Sequence, residues 1–301
     1  LTPLVSVGPI RMLSESAAAA QLSIPLTGAL PSPPRYRRVD ATTFELFFPR
    51  GSYIAPPQPL GSPSVTAFEP EQLSEGLRLT VRLARPMGVE YSVSANAITL
   101  GLYKPKVGNG KLAGKVIVLD AGHGGHDSGA RSTDKATLEK DVTLKVVLQT
   151  AKELLSEGAT VIMTRKTDVF IPLGERAEIA NRNAADLFIS VHINSNKTAN
   201  STSGSISFYH KGNKPGEVLA ICMQEEMKKA SQIPSIGVWS DGRIYESGFA
   251  VLRLSKMPGV LLELGFVNHE KDRNILRTTA FQSDVSKAIV KGIKVYLGDE
   301  K

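Results

Sequence analysis

VIVLDAGHGGHDSGA, residues 116–130, is the stretch from which the rest of the chain can be read. Four apolar residues, Val116, Ile117, Val118 and Leu119, run without a polar partner into Asp120 and Gly122. That is the pattern of a strand buried on both faces and closed by a tight glycine turn. His123 stands at the mouth of the strand. In an open α/β sheet, ligands bind in the crevice beyond the carboxyl ends of the strands, so this histidine is a candidate metal ligand or catalytic group as well as a candidate turn cap.

Downstream, Leu144, Val147, Leu148, Ala151, Leu154 and Leu155 follow the three-four spacing of one buried helix face, which predicts a helix over 139–156 that Gly158 stops. The same reading predicts strands over 160–164, 187–193, 204–209, 251–254 and 259–264, and helices over 173–182, 216–230, 271–277 and 281–296. Strands alternating with helices of this length mean α/β: a mainly parallel sheet with helices on both faces.

Upstream the chain is proline-rich, with short period-two runs over 21–26, 43–48, 77–83, 89–93 and 97–102. These predict a small all-β domain, with the prolines of 31–34 and 55–63 in turns or edge loops because proline cannot donate to a central ladder. The basic, glycine-rich stretch 104–114 reads as a linker. The expected division is 1–106 for the β-rich domain and 107–301 for the α/β domain.

At 301 residues, 42% hydrophobic and 22% charged, the composition is that of an ordinary globular protein with room for two cores. No run of 18 apolar residues occurs, so no transmembrane segment is expected. Leu1 in place of an initiator methionine leads us to expect a mature or trimmed chain, a removed secretion leader being one of the two readings. The single Cys222 lies in an apolar helical stretch and reads as a small buried hydrophobe. The net charge of +7 favours an anionic partner. Ten Lys and Arg against seven Asp and Glu precede Val107, and 26 against 22 follow it. That even spread, with no basic-aromatic motif, argues against nucleic acid.

Three apolar strands each carry one polar residue at or near the carboxyl end: His123, His192 and Glu263. Glu139 opens the helix after the first turn. Each has an ordinary alternative role, and a glutamate in a first helical turn serves the helix dipole. Glu263, within LLELGF, resists that reading most, because a carboxylate among apolar neighbours costs several kcal/mol unless it is paired, protonated or near a metal. Two imidazoles and one carboxylate at one crevice would make a hydrolytic zinc site with an open position, and a further carboxylate would be its general base. Among the remaining polar residues, His126, His210 and His269 are expected at the surface, and Arg176 and Asn181 in loop and helix packing. Asn194 stands open between contacting substrate and orienting a ligand.

The segments VIVLDAGHGGHDSGA, LEKDVTL, MTRKTDVFIPLGERAEIANRNAADLFISVHINS and GVLLELGFVNH, in this order between about residues 115 and 297, resemble the zinc-dependent N-acetylmuramoyl-L-alanine amidases of the Amidase_3 type. The resemblance implies a single α/β catalytic domain in which His123, Glu139 and His192 hold one zinc ion per chain and Glu263 is catalytic. It also implies hydrolysis of the amide between N-acetylmuramic acid and L-alanine, with Glu263 passing a proton to the leaving amine. Some members of the family carry an inhibitory helix before the final glutamate. Here the one helical stretch between Asn194 and Glu263, 216–230, is needed by the ordinary fold, so an unplugged site is expected. The segment GLRLTVRLARPMGVEYSVSANAITLGLY resembles, more distantly, the β-rich AMIN modules that hold such enzymes on the cell wall. Peptidoglycan as partner, a septal or envelope recruitment factor, a monomeric state and a periplasmic or other extracytoplasmic location follow as expectations. The competing readings are a zinc peptidase acting on wall peptides and a non-catalytic peptidoglycan-binding protein.

Overall fold

In the computed structural model, which describes residues 2–54, 62–104 and 112–299, the chain divides into two units, Leu1–Lys106 and Val107–Lys301. The proposed linker lies mostly outside the described residues, as does most of the 55–63 proline segment.

The first unit is all β. Its strands are β1 (Val5–Val7), β2 (Arg11–Glu15), β3 (Ala19–Gly28), β4 (Arg35–Arg38), β5 (Thr43–Pro49), β6 (Gly51–Tyr53), β7 (Val65–Leu73), β8 (Gly76–Leu83), β9 (Gly88–Val93) and β10 (Ala97–Tyr103). They form one sheet in the order β6-β1-β3-β10-β9, with β2 also on β3, and a second in the order β4-β5-β8-β7. Alternate residues such as Leu22, Ile24, Phe44, Phe48, Leu79 and Leu100 meet in a single apolar core. The five strands expected from period-two runs are present. β1, β2, β4, β6 and β7 carry no such signal: two have three residues, and β4 is RYRR. Pro70 interrupts β7, which lies at a sheet edge where a missing donor does no harm.

The second unit comprises β11 (Val116–Ala121), α1 (Glu139–Ser156), β12 (Thr160–Met163), α2 (Leu173–Arg182), β13 (Leu187–Asn194), β14 (Ser205–Tyr209), α3 (Lys214–Ala230), β15 (Ser235–Ser240), α4 (Ala250–Arg253), β16 (Gly259–Phe266), α5 (Glu270–Leu276) and α6 (Thr279–Leu297). The sheet order is β12-β11-β13-β16-β14-β15. Its pairs are parallel except β14 against β16.

Strand pleating separates two cores. Ile117, Leu119, Ile189, Val191, Val260 and Leu262 face one side, with buried residues of α1, α3 and α6. Val118, Phe188 and Leu261 face the other, with Ile179 of α2 and Val251 and Leu252 of α4. On that second face the parity of the apolar residues continues, toward the carboxyl ends, into Asp120, Ser190, His192 and Glu263. The sheet thus changes from core to polar site along the same strands.

One element is corrected. Residues 251–254 were expected as a strand, but Ala250–Arg253 form the short helix α4. Four apolar residues are too few for periodicity to separate helix from strand, and here backbone bonds to the Phe249 carbonyl from Leu252 and Arg253 fix the helical turn. Strand β15, with only partly buried residues, gave no signal.

Candidate active site

The turn after β11 is held open by its own sequence. His123 adopts a left-handed backbone, φ 61°, followed by Gly124 and Gly125 at φ 128° and 58°; a positive φ at a non-glycine residue is uncommon and must be stabilised by its surroundings. Two buried arginines supply that stabilisation. Arg165, just beyond β12, donates to the carbonyls of Ala121 (2.8 Å) and Gly122 (2.9 Å). Arg176, on α2, donates to the carbonyls of Ala121 (2.7 Å) and His123 (2.8 Å) and pairs with the fully buried Asp120 at 2.8 Å. Asp120 also accepts from Thr164 and Ser190. Burial alone would raise the Asp120 carboxyl, but the Arg176 charge and these bonds hold it below the usual carboxylate range.

Glu139 sits at the amino end of α1 and is 3% exposed. Its carboxylate does not cap its own helix. Oε1 lies 3.1 Å from His123 Nε2 and 2.9 Å from His192 Nδ1, and it accepts from the Ile193 amide. Oε2 accepts from the Ala130 amide at 2.8 Å. Burial opposes the charge, yet the bonds and charges of His123 and His192 hold the Glu139 carboxyl well below its ordinary value. The other nitrogen of His123, Nδ1, lies 2.8 Å from Asp127. Burial disfavours the imidazolium, but Glu139 and Asp127 together raise the His123 ring above its ordinary value.

The structure thus brings His123, Glu139 and His192 together, with one donor atom from each within 4.8 Å of the others. A nitrogen and oxygen donor set of this kind suits zinc, whose ligands stand about 2.0–2.2 Å from the ion, so closure on one ion takes only small side-chain movements. The bond from His123 Nδ1 to Asp127 turns Nε2 toward Glu139 and so into the donor cluster that would hold a metal. Two glycines keep the space clear: a Cβ on Gly122 would strike the His192 ring, and one on Gly129 would strike Glu139 and His123.

Glu263 is the register partner of His192 on the adjacent parallel strand, which sets the two side chains on one face. Its Oε2 is buried and has no hydrogen-bond partner. Burial, and then the charge of Glu139, push its carboxyl well above the ordinary value. A carboxyl whose proton affinity is raised in this way, beside a carboxylate flanked by two histidines, is equipped to take up and return a proton.

The remaining sequence candidates are distributed otherwise. His126 is exposed and packs on Phe170 at 4.3 Å. His210 and His269 are only partly buried, but each is paired, with Asp241 and Asp272 respectively. Asn181 ties α2 to the segment after α4 through Leu254 and Lys256. Asn194 caps the end of β13, accepting from Ser195 and, through its carbonyl, from Val267. Cys222 is buried. Asp120, Asp127, Lys140 and Arg165 were missed as supports of the site. For Asp120 and Arg165 the available signal was a charged residue at the end of an apolar strand, as in VIVLD and TVIMTR; Asp127 and Lys140 offered none.

Comparison with known proteins gives a consistent picture. A family profile described as N-acetylmuramoyl-L-alanine amidase (Amidase_3) matches residues 117–295. The chain is 36% identical over 187 residues to the uncharacterized protein YqiI of Bacillus subtilis, covering 62% of this chain and 86% of YqiI. It is 35% identical over 186 residues to the probable cell wall amidase LytH of Staphylococcus aureus, again over 62% of this chain, and spans 59% of the length of LytH. The solved N-acetylmuramoyl-L-alanine amidase from Clostridium difficile 630 superposes with a TM-score of 0.58 at 28% identity, covering 62% of this chain and 98% of that one.

Proposed function

The chain belongs to the N-acetylmuramoyl-L-alanine amidase family, and from that premise we propose that it cleaves the amide between N-acetylmuramic acid and L-alanine in peptidoglycan, with one zinc ion held by His123, Glu139 and His192. The observation that carries the reading is the convergence of those three donors within 4.8 Å, on the strand ends where Glu263 keeps a buried, partnerless carboxyl oxygen. When bound, zinc supplies Lewis acidity toward the amide carbonyl and toward water. The chain's own residues supply the proton chemistry. Glu263 takes a proton at Oε2 from the attacking water and returns it to the departing amine of L-alanine, and a carboxyl raised by burial serves both steps. Asp127 fixes the His123 ring by its bond to Nδ1, and Arg165 and Arg176 hold the backbone that carries that ring.

Such a substrate lies in the cell envelope, so the reading carries an extracytoplasmic location with it. Among the described residues no helix is long and apolar enough to cross a membrane, and their one group of metal-ligating side chains lies in the second unit. For the first unit we propose a wall-holding role without chemistry.

The test is digestion of purified sacculi. Stem peptides with L-alanine at the amino end should be released, and release should stop with a chelator and return with zinc. Glu263→Ala should lower the rate by a factor of about 10² or more. Peptides cut internally would make the chain a wall peptidase, and undiminished lysis by Glu263→Ala and His123→Ala would remove the mechanism.

A further inference from the structure

Lys140 follows Glu139 directly and is turned to the opposite loop. Its Nζ donates to Asp168 Oδ2 at 2.6 Å and to the Gly125 carbonyl at 2.9 Å. Asp168, beyond β12, accepts through Oδ1 from the Gly125 amide at 2.7 Å. Gly125, two residues after His123 and itself left-handed, therefore has both its backbone groups gripped by one ion pair. The Lys140 carbonyl is held in turn by Arg165, 2.8 Å away, whose same nitrogen reaches the Gly122 carbonyl.

An exposed ion pair is worth little on its own, and Asp168 is half exposed. This pair differs in what it joins. Lys140 is only 13% exposed, and it links the helix end that bears Glu139 to the glycine loop that bears His123. Left to itself, a loop with positive φ at residues 123, 124, 125 and 129 has many backbone states to choose from. Fixing Gly125 selects the state that aims the His123 ring at Glu139.

We infer that Lys140 and Asp168 are a positioning pair that sets the separation of His123 and Glu139 and with it the affinity of the site for a divalent cation. The inference rests on the metal reading above. The side-chain bonds of both are to each other and to Gly125, not to His123, Glu139 or His192, so both act through the loop.

The test uses the full chain stripped of metal, titrated with zinc against a chromophoric chelator, with the cobalt-substituted absorption spectrum as a second readout. Lys140→Met and Asp168→Asn should each weaken zinc binding about 10- to 100-fold, the range typical of residues that orient metal ligands, and should alter the cobalt bands. The metal-free melting temperature should move by no more than about 4 °C, as expected for a half-exposed pair. Lys140→Arg, which keeps the charge and the donors, should retain most of the affinity. Wild-type zinc affinity and an unchanged cobalt spectrum in both Lys140→Met and Asp168→Asn would overturn the inference. So would a loss of affinity that Lys140→Arg shares in full alongside a collapse in melting temperature, which is general unfolding. A parent chain that takes up no zinc would overturn the metal reading itself, and the pair's role with it, an outcome distinct from a parent that binds and variants that bind equally well.

Discussion

Glu263 carries a cost that the metal-free protein cannot avoid. Its carboxyl is raised by burial and by the neighbouring Glu139 charge, so the folded state favours the protonated form more than the unfolded chain does. The stabilisation this gives is complete below the unfolded value near 4.3 and is lost as pH rises through the folded value. Glu263→Gln, of the same shape and always neutral, should therefore melt together with the parent near pH 4. At pH 7 and without metal it should melt at a higher temperature than the parent. Scanning calorimetry of both proteins at the two pH values decides it, and equal melting at pH 7 would mean that the carboxyl is ionised at no cost. This residue was legible in the sequence because LLELGF buries an acid among apolar neighbours. His123 and His192 were legible as polar residues at or near the ends of apolar strands. Glu139 was not separable from a helix-dipole glutamate until its four bonds to His123, His192, Ile193 and Ala130 were seen. Asp127 gave no signal at all, since a loop aspartate four residues from a histidine is common.

At the scale of elements, periodicity found the long pieces and lost the short ones. Helix α1 matches its expected span because a three-four apolar stripe sustained over 18 residues has no strand-like alternative. The strands β11, β13 and β16 were recognisable from short, mostly apolar runs of the kind a doubly covered sheet uses, each broken by a polar residue toward its carboxyl end. Residues 251–254 failed because four apolar residues satisfy either period, and β4 failed because RYRR alternates no hydrophobe. What joins the elements near the site is invisible to periodicity. Arg176 bonds α2 to β11 and to the histidine turn through Asp120, Ala121, His123 and Ile171, and is 2% exposed. Removing one partner of a buried ion pair leaves the other charge uncompensated, a loss of about 3–5 kcal/mol. Arg176→Met should accordingly lower the melting temperature by roughly 6–20 °C and weaken metal binding as well, since the His123 carbonyl loses its donor. Asp120→Asn in the same background should recover part of the stability but not the metal affinity. Paired thermal melts and zinc titrations separate these effects, and a near-neutral Arg176→Met would show that the turn holds itself.

The whole molecule is organised as two units whose apolar cores draw on separate parts of the sequence. The first core uses residues from Val5 to Leu102, and the two cores flanking the second sheet use residues from Leu112 onward. No buried cluster mixes the two ranges among the described residues. Helix α3, the long helix between the second histidine and the final glutamate, places Val218, Leu219, Cys222, Met223 and Met227 in the same core as α6. It is therefore packed into the fold, as an unplugged site requires. Two consequences follow for residues 107–301 expressed alone. They should fold, with a cooperative melt close to that of the corresponding transition in the full chain, because they keep their entire apolar core. They should also cleave a soluble muramyl peptide with kcat/KM within about threefold of the full chain and without any added partner, since the three donors and Glu263 lie within them. On intact sacculi the rate should fall by about tenfold or more if the first unit holds the enzyme to the wall, because tethering raises the effective concentration of substrate bonds without altering the chemistry. Soluble-substrate kinetics and sacculus turbidity measured side by side separate the two roles. Equal loss on both substrates would place part of the catalytic machinery in the first unit, and equal retention on both would deny that unit its wall-holding role.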